Sequence, residues 1–225
     1  MTIEPIAYIR TEFPEKFGVP RQSGLAGALR GTIVFTPEYR NPDALRGLEG
    51  FSHLWLIWEF SANIAKAQWQ PTVRPPRLGG NERMGVFATR SPFRPNPLGL
   101  SCVEIDSVQL DSPDGPLINV KGADLMDGTP IYDIKPYIKY ADARPHAQCG
   151  YVDELQDRKL SVHIPAELSA KVNDKHRLEA LVQTLSLDPR PSYHDDPDRE
   201  YGLSFAGMNV RFKVFLRNLT VTAID

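Results

Sequence analysis

The sequence predicts a mainly β protein, a compact barrel followed by a small α+β unit, and three observations carry that reading. Short apolar and β-branched runs recur at close spacing through the first two thirds of the chain. Twenty prolines include clusters at 71–76, 92–97 and 189–197. Proline is excluded from helix interiors and central strands, so the middle of the chain reads as loops joining short strands. The only extended helical period falls late, from Pro165 to Leu185.

Taken in order, residues 3–11 alternate loosely and predict a strand. Phe17 to Gly27 is a polar, glycine-containing loop carrying Pro20, Arg21 and Gln22. Gly31 to Thr36 (GTIVFT) predicts a second strand. Asn41-Pro42-Asp43 reads as the capped start of a short helix over Ala44–Leu48. Phe51 to Phe60 (FSHLWLIWEF) is apolar almost throughout and too short for an ordinary buried helix, which predicts a strand buried on both faces. Residues 61–83 show no period. Met84–Thr89, Leu98–Val108 and Leu117–Ala123 predict strands, the last two joined as a hairpin by the Asp111–Gly115 turn.

The composition changes near Ala141, which divides the chain into residues 1–142 and 143–225. The second part holds the helical period and three strands, Tyr201–Phe205, Met208–Phe215 and Leu219–Ile224. Neither internal repeats nor low-complexity segments are visible.

Bulk properties bound the function. The 225 residues carry a net charge of -2, so a polyanion partner would need a local patch. Two distant cysteines, Cys102 and Cys149, make neither a disulfide framework nor a zinc site and suit reduced thiols in the cytoplasm. The N-terminus lacks the pattern of a signal peptide, and no run approaches the length of a membrane span. The five histidines (His53, His146, His163, His176 and His194) are scattered. The glycine-rich nucleotide loops, the Gly-x-Ser-x-Gly elbow and the His-Glu-x-x-His zinc motif are absent, as is the βαβ rhythm of Rossmann methyltransferases.

Three features could carry chemistry. Phe87 to Ser101 sets Arg90 and Arg94 in a loop stiffened by Pro92, Pro95 and Pro97. It is either a turn-rich connector or a clamp for a carboxylate or phosphate, which guanidinium forks bind bidentately. Asp124 to Tyr137 concentrates three aspartates, one lysine and two tyrosines. It is either a tight turn with a structural ion pair or a proton-accepting site. Between Lys66 and Arg94 the basic residues Lys66, Arg74, Arg77, Arg83, Arg90 and Arg94 face one acid, Glu82, with Trp69 and Phe93 interleaved. That is either a solvated loop or a surface for RNA, where phosphates attract and bases stack.

Several long motifs occur together in order: Pro20-Arg21-Gln22, Phe51-Ser52-His53-Leu54-Trp55, Arg74-Pro75-Pro76-Arg77-Leu78-Gly79-Gly80, Gly85-Val86-Phe87-Ala88-Thr89-Arg90-Ser91, Arg94-Pro95-Asn96-Pro97, Asp127-Gly128-Thr129-Pro130 and Asp133-Ile134-Lys135-Pro136-Tyr137. On them the chain resembles the TsaA/TrmO-type proteins, tRNA methyltransferases that act on N6 of threonylcarbamoyladenosine beside the anticodon. The resemblance runs from Ile3 to about Tyr140 and continues weakly through 188–193 and 209–211.

The resemblance implies a TsaA-like β-barrel that binds S-adenosylmethionine, a homodimer with the cofactor near the subunit interface, and a small C-terminal domain that helps hold tRNA. It puts cofactor contacts on Pro20, Arg21, Gln22, Arg90, Leu100 and the turn Asp127, Gly128, Thr129 and Pro130. Where relatives often carry His-Gln, this chain has Ser61-Ala62, so a contact there would run through the backbone. Candidates for the chemistry are Asp127, Asp133, Lys135 and Arg94; candidates for RNA are Arg74, Arg77, Arg83, Asn96 and Tyr137. Metal has no expected part. Two other readings stay open: a methyltransferase of this fold with another substrate, and an RNA-binding module without activity.

Overall fold

The computed structural model describes residues 2–62, 69–75, 78, 82–153, 159–191 and 196–225. Six strands close a barrel in the order β1-β2-β7-β6-β3-β8: β1 (Ala7–Thr11), β2 (Arg30–Phe35), β3 (His53–Glu59), β6 (Leu98–Gln109), β7 (Leu117–Lys121) and β8 (Thr129–Pro136). Every neighbouring pair in it is antiparallel. A two-stranded ribbon, β4 (Thr72–Val73) with β5 (Met84–Gly85), lies within the long β3–β6 connection.

The predicted strands are present, with corrections at their edges. The first begins at Ala7. The segment 84–89 is extended only at Met84–Gly85, then tightens into a single 3-10 turn, Val86–Ala88. The segment after Asn41 is likewise a 3-10 turn, Pro42–Leu45, with the Asn41 side chain accepting from the Asp43 amide. Strand β3 is buried on one face, not two. Leu54, Leu56 and Trp58 point into the barrel, whereas His53, Trp55, Ile57 and Glu59 are only partly covered. Its unbroken apolar sequence reflects aromatic and aliphatic groups on the outer wall as well as the inner one.

The barrel interior is filled by Ile9, Ile33, Leu54, Leu56, Val103, Ile118, Val120 and Ile131. Burying a side chain of this size contributes roughly 1.5–3 kcal/mol relative to leaving it in water. Trp58 fits because its opposite neighbour on β6 is Gly99. A Cβ at position 99 would run into the indole ring.

After β8 come a short helix, α1 (Lys139–Asp142), and a four-stranded sheet in the order β10-β11-β12-β9. Its strands are β9 (Ser161–His163), β10 (Tyr201–Phe205), β11 (Met208–Phe215) and β12 (Asn218–Ile224). The predicted single helical period is two helices, α2 (Ala166–Ser169) and α3 (Lys175–Ser186). The break occurs because Asp174 turns its carboxylate onto the amides of His176 and Arg177 and so starts α3 afresh. Helix α3 buries Ala180, Leu181, Thr184 and Leu185, positions one helical stripe apart, beneath the sheet.

The core under this sheet also takes in Phe13, Ala26 and Leu29, from the connection between β1 and β2. No helix among the described residues is long and apolar enough to cross a membrane.

Gly99→Ala tests the barrel's tightest approach. The added methyl should lower unfolding free energy by about 1–3 kcal/mol, the usual penalty for overpacking, and lower the urea midpoint accordingly.

Candidate functional site

Closure of an antiparallel barrel sends alternate connections to the same rim. Here the described residues of 12–29, 60–97 and 122–128 leave and enter the barrel at one rim, and the β2–β3 and β6–β7 connections at the other. The segment carrying Pro20-Arg21-Gln22, the Arg90 loop and the Asp124–Gly128 segment therefore meet. The 12–29 and 122–128 segments touch backbone to backbone, among other places at Gly24 and Gly122. The Gly24 amide donates to the Gly122 carbonyl at 2.8 Å, and a Cβ on Gly122, whose φ is 69°, would sit 3.2 Å from the Gly24 backbone.

On this rim the Arg90 guanidinium donates to the Gln22 side-chain carbonyl. Asp124 lies beneath them. Its Oδ1 accepts from Ser101 Oγ at 2.6 Å, and Ser101 Oγ accepts from Trp58 Nε1 at 2.9 Å. The Ser23 backbone also hydrogen-bonds Asp124, and Arg90 acts on it electrostatically. Burial pushes the Asp124 carboxyl above the ordinary carboxylate range. The Ser101 hydroxyl, the backbone bonds and Arg90 pull it back in part. A basic group, an amide and a desolvated carboxylate thus share one rim.

Asp124 is not among the residues predicted for catalysis or cofactor. The signal was present in the alternation of β7. Ile118 and Val120 are inward, and continuing that parity through Gly122 puts residue 124 on the inward side. Ser101 occupies the matching inward place on β6 and is 1% exposed. A carboxylate and a hydroxyl on positions reserved for apolar side chains mark a site.

The Asp127–Pro130 turn stands beside Asp124 with its polar groups turned to the backbone. Asp127 Oδ1 accepts from the Thr11 amide at 3.0 Å, Thr129 Oγ1 donates to the Met126 carbonyl at 2.8 Å, and Gly128 has φ 72°. Thr129 and Pro130 are buried at the start of β8. Arg94 staples its own loop, donating to the Thr89 carbonyl at 3.1 Å and the Ser91 carbonyl at 3.5 Å.

Other predicted residues lie apart from this cluster. Asp133 and Lys135 form an ion pair at 2.9 Å on the outer wall. They are four and six residues along β8 from Thr129, which at about 3.3 Å per residue is roughly 13 and 20 Å. Tyr137 is beyond them, its ring 6.0 Å from those of Trp55 and His53. Leu100 is 55% exposed on the outer face of β6, opposite Ile57. Ser61 and Ala62 are exposed just past β3. Tyr132 donates to Glu59, and that bond with partial burial pushes its hydroxyl up to about 12, so it stays protonated near neutrality.

In the basic segment, Arg83 donates to Thr72 Oγ1 at 3.3 Å, and Arg74 and Asn96 are exposed. Arg77 and Lys66 lie outside the described residues. Trp69 and Phe87 form an exposed pair, ring centroids 6.0 Å apart, at 50% and 72% exposure.

Two cavities lie elsewhere. One of about 380 Å³ is lined by residues including Arg30, Asp106, Asp174 and His176, and one of about 370 Å³ lies at the opposite rim against Phe35, Leu45 and Pro136. No group of three or more potential metal ligands occurs among the described residues.

Comparison with known proteins fits this geometry. The profile of the tRNA-methyltransferase O N-terminal domain matches residues 8–143, and that of the TrmO C-terminal domain matches 157–225. The tRNA (adenine(37)-N6)-methyltransferase of Escherichia coli K12 is 40% identical over 229 residues, covering 99% of this chain and 97% of that protein. A Pseudomonas aeruginosa protein named for S-adenosylmethionine-dependent methyl transfer is 39% identical, covering 94% and 91%. The crystal structure of TrmO from Pseudomonas aeruginosa superposes with a TM-score of 0.80 at 32% identity, covering 100% of this chain and 98% of that one. With both domain profiles matched in order and the whole length aligned, the chain belongs to the tRNA-methyltransferase O family.

Proposed function

We propose that this protein transfers a methyl group from S-adenosylmethionine to N6 of threonylcarbamoyladenosine at position 37 of tRNA, in the cytoplasm. The observation that carries the reading is the meeting of Gln22, Arg90 and Asp124 on one barrel rim, in a chain 40% identical to a tRNA (adenine(37)-N6)-methyltransferase over nearly its full length.

The residues present suit the cofactor. Its amino-acid end carries a carboxylate and an ammonium beside a sulfonium. Arg90 is the fork for the carboxylate, and the half-buried Asp124 is the counter-charge for the cationic part. Pro20, Arg21 and the backbone of Ser61-Ala62 border the same rim. When bound, the cofactor supplies a methyl group on a sulfonium leaving group.

The chain's own part is alignment and proton management. The N6 lone pair is shared with the purine and the carbamoyl group, so it is a weak nucleophile. Holding nitrogen, methyl and sulfur in line supplies a large share of the barrier reduction. A carboxylate on the rim would take up the N6 proton that methylation releases. Asp124 stands in the cluster. Asp127 holds the Thr11 amide with one oxygen and has the other available.

A homodimer gives the outer-wall residues their place. Leu98, Leu100, Ile57, Trp55 and Tyr137 make a partly exposed apolar wall on β6, β3 and β8. With this wall of one copy against the rim of another, Asp133 and Lys135 come within reach of a cofactor that they are too distant to touch in their own copy. Lys135 then suits the threonylcarbamoyl carboxylate. Residues 1–142 carry the transfer, and 143–225 help hold the tRNA.

The RNA approaches through its anticodon loop along the 69–97 segment. Arg74, Arg83 and Asn96 are exposed there, and Trp69 with Phe87 offers a platform for an unstacked base.

Incubation with labelled S-adenosylmethionine should methylate tRNA bearing the threonylcarbamoyl group and leave tRNA lacking it unmodified; equal labelling of both means another substrate, and labelling of neither means no methyl transfer. Asp124→Asn should weaken cofactor binding at least tenfold by calorimetry. The same variant carries a pH signature. A carboxyl raised by folding stabilises the fold while protonated, and that contribution is lost as pH rises through its folded pKa. The melting temperature of the parent should therefore fall relative to Asp124→Asn between the ordinary carboxylate range and neutrality. Trp69→Ala with Phe87→Ala should raise KM for tRNA about tenfold or more, from the loss of one stacked base, with cofactor affinity unchanged.

A further inference from the structure

The connection from β1 to β2 has two faces. One presents Gln22 and Ser23 to Arg90 and Asp124. The other is built into the core of the C-terminal unit. Phe13, Ala26 and Leu29, each 1% exposed or less, belong to that core, and Phe17, Val19 and Ala28 pack against it. The Phe13 ring meets the Phe205 ring edge-on at 5.4 Å. Gly18, with φ 91°, lies so close to Leu203 that a Cβ there would collide with it.

Hydrogen bonds fix the same stretch at both ends. The Ala206 amide of the β10–β11 turn donates to the Glu12 carbonyl at 2.8 Å. The Ala28 amide donates to Gln183 Oε1 of α3 at 2.9 Å. Between these anchors, fifteen residues of glycine-containing chain have few contacts of their own to hold a single shape, so the ordering comes from what they pack against.

We propose that the C-terminal unit is a positioning element for cofactor binding: through Gln183, Phe205 and Leu203 it fixes the loop that presents Gln22 and Ser23 to the rim cluster. This rests on the cofactor reading given above and extends it. Cofactor affinity then depends on residues of α3 and β10 that touch neither cofactor nor RNA. Because the coupling is a difference in binding free energy, it is reciprocal, and loading the rim stiffens the seam between barrel and tail.

The test uses the full chain without tRNA, with the cofactor dissociation constant read by calorimetry and the fold checked by circular dichroism. Gln183→Met keeps the side-chain length but removes the acceptor for Ala28. It should weaken cofactor binding about fivefold, the size of one net hydrogen bond. Gln183→Glu keeps an acceptor for Ala28, though it gives up the 3.2 Å bond from Nε2 to Glu179, and should weaken cofactor binding less than Gln183→Met does. Phe205→Leu, which removes the edge contact with Phe13, should also weaken binding; in a separate turnover assay with tRNA added, KM for cofactor should rise and kcat at saturation be retained. Unchanged affinity in both Gln183→Met and Phe205→Leu overturns the proposal, as does equal loss in Gln183→Met and Gln183→Glu, which would signal general damage. A parent chain that does not bind S-adenosylmethionine overturns the cofactor reading and this proposal together.

Discussion

Closure of the six-stranded sheet is the constraint on which the rest depends. An open antiparallel sheet could splay its connections apart. A closed one must return alternate connections to a common rim, and its small circumference holds them within side-chain reach of one another. Residues 22, 90 and 124 are far apart in the chain, yet they meet for this reason. Two of these connections touch backbone to backbone at residues 24 and 122, where Gly122 takes a left-handed φ of 69° and an added Cβ would sit only 3.2 Å from the Gly24 backbone.

The cluster is placed at some expense to the fold. A barrel interior favours groups that lose nothing on leaving water, and Asp124 is partly deprived of it. Ser101, itself held by the Trp58 indole, meets one carboxylate oxygen, and Arg90 offsets the charge from outside. Such an arrangement is common at binding sites, where local stability is traded for a group with an unusual proton affinity. The Asp127–Pro130 turn does the opposite work. Asp127 Oδ1 and the Thr129 hydroxyl are spent on the chain itself, joining β1 to β8.

Much of this was legible in the sequence. The barrel followed from short strands and misplaced prolines, and the strands of the tail from clean alternation between Tyr201 and Ile224. Local errors came where tertiary contacts override local pattern. FSHLWLIWEF looks doubly buried because its outer wall carries Trp55 and Ile57. One helical period became two helices because Asp174 prefers to cap. For the site, the motifs singled out Gln22 and Arg90, which the fold brings together on one rim. They did not separate the turn that supports the rim from the carboxylate within it, since that distinction depends on which face of an ended strand residue 124 occupies. Nor did the spacing of Asp133 and Lys135 show that a strand would carry them down the outside wall, well below the rim. The packing of the 12–29 connection into the core of the tail is a long-range fact with no local signature at all.

The chain's three tryptophans fall one to each surface of interest. Trp58 is enclosed and wired through Ser101 to Asp124, Trp55 sits on the outer wall beside Tyr137, and Trp69 stands in solvent against Phe87. Indole emission responds to polarity and to nearby rings, so the native molecule carries three optical probes in separate settings. Left with one indole at a time, it would report changes at the rim, on the outer wall and along the 69–97 segment as separate signals, with no dye attached.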